Sequence, residues 1–365
     1  MSKPIRIILA LLCAAMILAM PFVLSAPFML DSEKDRVMDD SGDEEEIDFG
    51  RLFFSTAMAE EAADGDLIVE TETDGAGSLY IDPGWALPLD LSAGGCKPNP
   101  AKYTETGYED QSIRVTVETR NDASGAVYHV AFVQIADASQ FRTATTSGTA
   151  KLARDKYVTT IAEDYNTVIA MNGDYVAELP SKKSFEYRMT EKIRSKANKL
   201  KDILIIDDLG DFHLFVRSEG LKEFPEQMKK EGRKIVNAFT FGPALVVDGE
   251  LQTMDDTYDF GRTKKYPRSA IGQLGPLSYA MVIVEGRGES AGITHQEMAQ
   301  IMYDLGCKQA YNLDGGNTAE MIMFGPADSY GALTEKFHFK GDQTAAQRSQ
   351  SDIIYFATAV PESAW

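Results

Sequence analysis

The sequence predicts a mixed α/β fold of the α+β kind, built around a mixed β-sheet, on three observations. Apolar and polar residues alternate early in the chain, short apolar runs bounded by Gly, Asp and Asn come next, and one strand–helix–strand pattern stands near the C-terminus. With 365 residues, 44% of them hydrophobic, the chain can bury one large core or two modest ones.

Each element has its own signal. Ile113, Val115 and Val117 alternate with Arg114, Thr116 and Glu118, which predicts a half-buried strand; Val127 to Ile135 is its partner across the Asn-Asp-Ala-Ser-Gly turn. Lys151 to Asn166 predicts a helix with Leu152, Tyr157, Ile161 and Tyr165 as core contacts. Thr167 to Val176 predicts a buried strand broken at Asn172-Gly173, and Ile203 to Arg217 two strands about a turn. Pro225 to Asn237 predicts a helix, and Ala244 to Gln252 a hairpin with an Asp-Gly turn.

Tyr279 to Phe324 is the best-defined unit. A strand ends at Glu285, and an amphipathic helix comes after it with Thr294 and Glu297 as a capping box. Met298, Ile301, Met302 and Leu305 form its core face, Gly306 ends it, and a second strand runs to Asp314. Such a βαβ unit makes its two strands parallel if they share a sheet, with both C-terminal ends on one edge. As neighbours, they put Glu285 and Asp314 on one rim, where Asn172-Gly173-Asp174 can join them.

The chain divides into four segments: 1–30, 31–78, 79–145 and 146–365. The first carries Lys3 and Arg6 ahead of an uncharged run, Ile7 to Leu30, long enough to span a bilayer as a helix. The expectation is an uncleaved single-pass anchor in the cell membrane, with the bulk of the chain outside the cytoplasm. A cleaved secretory peptide is the rival, but Leu-Ser-Ala-Pro makes a poor cleavage site. Segment 31–78 is an acidic flexible linker, with Asp39 to Asp48 a solvated spacer, and 79–145 is a strand-bearing lead-in. The net charge of −20 argues against a nucleic-acid partner, but leaves room for an anionic substrate held by local arginines.

Cys13 lies in the apolar run; Cys96 and Cys307 either pair or remain two separate thiols. His129, His213, His295 and His338 are too scattered for a zinc-type site or a Ser-His-Asp relay. No cofactor is required. The metal question stays open: Asp174, Glu285 and Asp314 offer oxygen ligands that suit Ca²⁺ or Mg²⁺, though no spacing demands it.

The stretches NLDGGNTAEM, EGRGESAGITHQEMAQIMYDLGCKQAYNLDGG, YPRSAIGQ, FGPALVVDGE and AMNGDYV together resemble the phosphodiester glycosidase family, and SDIIYFATA looks like its closing strand. The resemblance runs from about Thr167 to Ala359. The family includes a lysosomal uncovering enzyme and exported bacterial proteins. It implies that 146–365 is a catalytic domain hydrolysing a sugar-1-phosphodiester, here in a cell-envelope or extracellular glycoconjugate. Two departures fall at the implied site. Asp174 and Tyr175 come after Asn172-Gly173, where the family usually has a second glycine and an aromatic. Its Gly-Gly-Gly-Ser-Ser run is Gly-Gly-Asn-Thr-Ala here.

The chemistry suits these residues. Glycosyl transfer passes through an oxocarbenium-like state and needs a carboxylate near the anomeric carbon, whereas a phosphate monoester leaves without strong acid help. Asp314 is the candidate base or nucleophile, with Glu285 and Asp174 as further catalytic carboxylates. Arg268, Arg287 and the N–H groups of Gly315 and Gly316 are candidates to hold the phosphate. Asn172, Gly173, Asn317 and Thr318, with Asp174, position the sugar. Structural rivals stand beside these roles. Asp-Gly-Gly and Asn-Gly occur as plain turns, Glu285 can simply balance Arg287, and Arg268 can be a strand-end surface residue. Two other functions fit the same residues: a non-catalytic glycopolymer-binding module of envelope or exopolysaccharide assembly, and a metal-assisted phosphodiesterase.

Overall fold

The computed structural model describes residues 87–365 except 123, 147–154, 175–183, 197–198, 255–262, 289 and 327–333. The expected anchor and acidic linker, together with Leu152, Tyr175 and Val176, lie outside the described residues. Among the described residues, no helix is long and apolar enough to cross a membrane.

In chain order, β1 (Gly107–Glu109), β2 (Ile113–Asn121), β3 (Val127–Ile135) and β4 (Phe141–Thr145) precede α1 (Val158–Asp164). Then β5 (Ile169–Asn172), β6 (Phe185–Arg188), β7 (Glu191–Ser195), β8 (Ile203–Asp207) and β9 (Phe212–Phe215) lead to α2 (Phe224–Lys230). Next come β10 (Ile235–Phe239), β11 (Ala244–Val247), β12 (Glu250–Leu251), β13 (Arg268–Gly275), β14 (Ser278–Val284) and α3 (His295–Asp304). The last strands are β15 (Gln309–Asn312), β16 (Glu320–Gly325), β17 (Thr334–Lys340) and β18 (Asp352–Phe356).

Three sheets result. The first has the order β1-β2-β3-β14-β13-β15-β11-β12, the second β17-β16-β5-β18-β4 and the third β7-β6-β10-β8-β9. Strand alternation builds a core on each face of the first sheet. Ala131, Val133, Met281 and Ile283 point into the central core, which they share with Met171, Met321 and Ile354 of the second sheet and Leu204 and Phe239 of the third. Val130, Ala280, Val282 and Ala270 point the other way, onto Met298, Ile301 and Met302 of α3. α1 covers the outer face of the second sheet through Val158, Ile161 and Ala162. Coverage on both faces explains why β14 is a near-continuous apolar run although its pairing is antiparallel.

The sheets correct several expectations. Every ladder between these strands is antiparallel, so no mixed sheet forms among the described residues. The strand–helix–strand unit exists as β14–α3–β15, but β13 lies between its two strands and is antiparallel to both. Sequence order cannot reveal an upstream strand inserted this way. The two strands still run in the same direction and end on one edge, with Arg268 opening β13 between them. Segment 79–145 is not separate from the downstream chain, because β3 pairs with β14 and β4 with β18. α1 is shorter than expected and leaves Tyr157 46% exposed. α2 stops at Lys230, where Gly232 (φ 72°) turns the chain into β10. Cys96 and Cys307 are unpaired thiols.

The capping box of α3 is present: Thr294 accepts from Glu297 N–H at 3.2 Å, and Glu297 accepts from Thr294 N–H. Removing a side-chain cap exposes an unsatisfied helix donor, so Thr294→Ala is expected to lower unfolding free energy by about 1 kcal/mol in urea titration.

Candidate active site

Asp314 comes just after β15, and its backbone is gripped from both the first and the second sheet. Its carbonyl accepts from Asn172 Nδ2 at 2.8 Å and from Ser269 Oγ at 2.7 Å, while its N–H donates to the Gly173 carbonyl at 3.4 Å. Asn172 is fully buried; its Nδ2 also reaches Ser269 Oγ at 3.1 Å, and its Oδ1 accepts from Glu320 N–H at 3.1 Å. Asn172, Gly173 and Asp314, far apart in the chain, therefore form one unit. Asp314 itself is 8% exposed.

The Gly315–Thr318 turn packs under Pro267. A Cβ on Gly315 would lie 2.7 Å from the Pro267 carbonyl, so only glycine fits there. Gly316, at φ 66°, donates its N–H to that same carbonyl at 2.8 Å. The Thr318 hydroxyl donates to the Gly315 carbonyl. Thus the Gly316 N–H and the Thr318 hydroxyl, expected to meet a ligand, serve the turn instead. Asn317 remains half-buried at the rim, its Oδ1 accepting from Arg348 Nη1 at 3.3 Å.

The two candidate cations differ. Each nitrogen of Arg268 has a protein partner: Nε donates to Ile293 O at 3.0 Å, Nη1 to His295 Nε2 at 2.6 Å and Nη2 to Lys264 O at 2.9 Å. Burial pulls its pKa down to about 10. Burial and the nearby Arg268 and Lys201 charges hold His295 well below its usual range, which suits an acceptor for the Arg268 N–H. Arg268 thus straps β13 to the start of α3. Arg287 has a side chain 44% exposed and stands beside the turn, where a Cβ on Gly316 would lie 3.6 Å from its Nη2. Its φ of 58° is a left-handed conformation that costs a non-glycine residue roughly 1–2 kcal/mol. The Tyr266 ring, 5.2 Å from the guanidinium, and Asp342 Oδ2, 2.9 Å from Nη1, hold it there. Burial alone would raise Asp342, but hydrogen bonds from Thr344 and Arg287 outweigh it and keep the carboxyl below its ordinary range.

The other two carboxylates face elsewhere. Glu285 Oε1 lies 2.8 Å from His129 Nε2, and His129 Nδ1 lies 2.8 Å from Thr119 Oγ1. With β13 between β14 and β15, the ends carrying Glu285 and Asp314 are two strand spacings apart, roughly 10 Å. Asp174 points inward, its oxygens accepting from Thr240 N–H at 2.7 Å and Phe241 N–H at 3.1 Å. It belongs to a buried group with Glu186 and Asp352 around Arg188. Among the described residues, no three His, Cys, Asp or Glu side chains are placed to hold a metal ion, and Asp174, Glu285 and Asp314 do not converge as one donor set.

The sequence offered no signal for Ser269, Tyr266, Asp342 or Arg348 as site-building residues. The same holds for Glu320, which Asn172 holds by its N–H and whose Oε1 lies 2.6 Å from His338 Nε2. An isolated polar residue marks a site only once the fold brings it beside another.

A family model described as phosphodiester glycosidase matches residues 165–357. The SPbeta prophage-derived uncharacterized protein YomE of Bacillus subtilis (strain 168) is 36% identical over 90 residues, 24% of this chain and 14% of that protein. The chain thus spans 14% of the length of the curated relative it matches. Among solved structures, the pro-peptide-inhibited catalytic domain of zebrafish N-acetylglucosamine-1-phosphodiester alpha-N-acetylglucosaminidase superposes with a TM-score of 0.50 at 15% identity, over 72% of this chain and 87% of that one. A hypothetical protein from Synechocystis gives 0.47 at 16% identity, over 68% and 62%.

Burial, joined by the Asp352 charge and opposed by Arg188, raises the pKa of Asp174 from 3.8 to about 7. The folded state therefore holds a proton that the unfolded chain releases. The resulting stability is present at pH below 3.8 and is lost as pH rises through about 7. Unfolding free energy measured at intervals across that window is expected to fall more steeply in the native chain than in Asp174→Asn. The variant comparison removes the histidine contributions, which are common to both.

Proposed function

This chain belongs to the phosphodiester glycosidase family, and from that premise we propose that it hydrolyses a sugar-1-phosphodiester at the Asp314 turn. The observation that carries this reading is the placement of Arg287's exposed guanidinium beside the Gly315–Gly316 segment next to Asp314. One carboxylate at the turn and one planar cation beside it suit a substrate with an anomeric carbon bonded to phosphate. Asp314 acts as base or nucleophile at the anomeric carbon, and Arg287 holds the departing phosphate. Because a phosphate monoester leaves readily, the chemistry does not need Glu285 beside Asp314. Asn317 and Arg348 are the groups at the rim placed to meet the sugar or its second substituent.

The zebrafish enzyme acts, by its name, on N-acetylglucosamine 1-phosphodiesters, which makes these linkages a starting substrate class. The uncharged run Ile7 to Leu30 behind Lys3 and Arg6 supports an exported, membrane-anchored placement, with an envelope or extracellular glycoconjugate as substrate. A second reading is a module that binds anionic glycopolymer without cleaving it. The inward use of the Gly316 N–H and the Thr318 hydroxyl favours it, because fewer donors then face a transition state.

Incubation with a panel of sugar-1-phosphodiesters, with freed reducing sugar as the readout, separates the two. Asp314→Asn is expected to lower turnover by about 1,000-fold or more with the thermal midpoint nearly unchanged. Arg287→Ala is expected to raise KM roughly ten- to a hundredfold, the loss of one charge-assisted phosphate contact. Polymer binding without any released sugar would leave only the second reading.

A further inference from the structure

The turn Asn172–Asp174 has one internal hydrogen bond, Asn172 Nδ2 to the Gly173 carbonyl at 3.1 Å, and otherwise leans on Asp352. Gly173 N–H donates to the Asp352 carbonyl at 3.1 Å, and Asp174 N–H to Asp352 Oδ1 at 3.2 Å. A Cβ on Gly173 would lie 2.6 Å from the Asp352 carboxylate, so the turn sits directly on that group. Arg188 of the third sheet fixes the carboxylate in turn: its Nε donates to Asp352 Oδ2 at 2.7 Å, and its Nη2 lies 2.6 Å from the same oxygen. Arg188 is 4% exposed and rests 4.2 Å from the centre of the Phe239 ring. Its Nη1 lies 3.2 Å from Glu186 Oε2 and 2.8 Å from the Tyr187 carbonyl, and also donates to the Ala238 carbonyl.

We propose that Arg188 is a positioning residue for Asp314: by fixing the Asp352 carboxylate it sets the Asn172–Asp174 turn, whose Asn172 amide and Gly173 carbonyl hold the Asp314 backbone. Every link is a direct contact, and the relay joins the third sheet to a site built on the other two. The guanidinium is needed for its shape. Its planar fork puts two nitrogens on one carboxylate while the third binds Glu186 and two carbonyls, and a lysine ammonium cannot reproduce that arrangement. The surroundings fit a unit built around one cation. Burial, with the Asp174 charge adding to it, pushes Glu186 well above the ordinary carboxyl range, as burial does Asp174. A misplacement of the reacting carboxylate by about 1 Å is enough to cost on the order of a hundredfold in rate.

The catalytic half of this proposal rests on the function proposed above, so its test has two readouts. Full-length chains carrying Arg188→Lys, Asp352→Asn or both are compared with the native chain. On a sugar-1-phosphodiester, each single variant is expected to lose roughly ten- to a hundredfold in kcat with KM within about twofold, and the double variant to be no worse than either. By hydrogen–deuterium exchange, the amides of 312–318 are expected to exchange about tenfold faster in Arg188→Lys, while those of β14 keep native protection. If Arg188→Lys does not fold, Asp352→Asn carries the same comparison. A native chain that frees no sugar sinks the proposed function, and the exchange arm still decides the role of Arg188. Unchanged exchange at 312–318, or uniform acceleration through all three sheets, overturns the positioning role.

Discussion

The backbone carbonyl of Asp314 is a point at which the first and second sheets are tied together. Asn172 reaches it from the second sheet at 2.8 Å and Ser269 from the first at 2.7 Å. A buried carbonyl must find donors or cost about 1–3 kcal/mol, and here two side chains from strands far apart in sequence supply them. The candidate nucleophile is thereby carried on backbone that neither sheet can shift alone. Site precision comes from this constraint rather than from the turn, which without it is an ordinary Gly-Gly connection.

Around that point the remaining chain builds walls. The connection between β17 and β18 lays Gly341 N–H on the Ala319 carbonyl at 2.7 Å, Gln350 Nε2 on the Thr318 carbonyl at 3.3 Å and Asp342 on Arg287. The third sheet contributes from below through Arg188, at an electrostatic cost: three carboxylates crowd one guanidinium in a water-poor interior. Burial and the neighbouring carboxylate charges push Asp174 and Glu186 up, which eases that crowding.

Much of this was legible in the residues. The β2–β3 pair, the β8–β9 and β11–β12 hairpins and the capped helix α3 each arise from local periodicity and turn chemistry, and all are present. Asn172 and Asp314 stand together because each ends a buried strand on the same side of the fold. What stayed hidden is long-range. The insertion of β13 between β14 and β15 separated Glu285 from Asp314, the β3–β14 pairing put Glu285 onto His129, and a single carboxylate was left at the turn. Arg268 looked like a phosphate ligand because the YPRSAIGQ stretch resembles the family, yet alternation turns its side chain onto the α3 face with Val284 and Ala270. Asp174 looked like an added charge for substrate, but the N–H groups of Thr240 and Phe241, on a strand end far along the chain, claim it. Asp352 heads a stretch that the pattern marks only as a strand, and nothing local shows that Arg188 waits opposite.

The central claim is that this turn breaks the bond between an anomeric carbon and a phosphate oxygen. The most direct measurement is turnover of a sugar-1-phosphodiester in water enriched in heavy oxygen, with mass analysis of the freed phosphate monoester. Attack at the anomeric carbon predicts a phosphate product without label. Heavy oxygen in the phosphate would mean attack at phosphorus and would contradict the account.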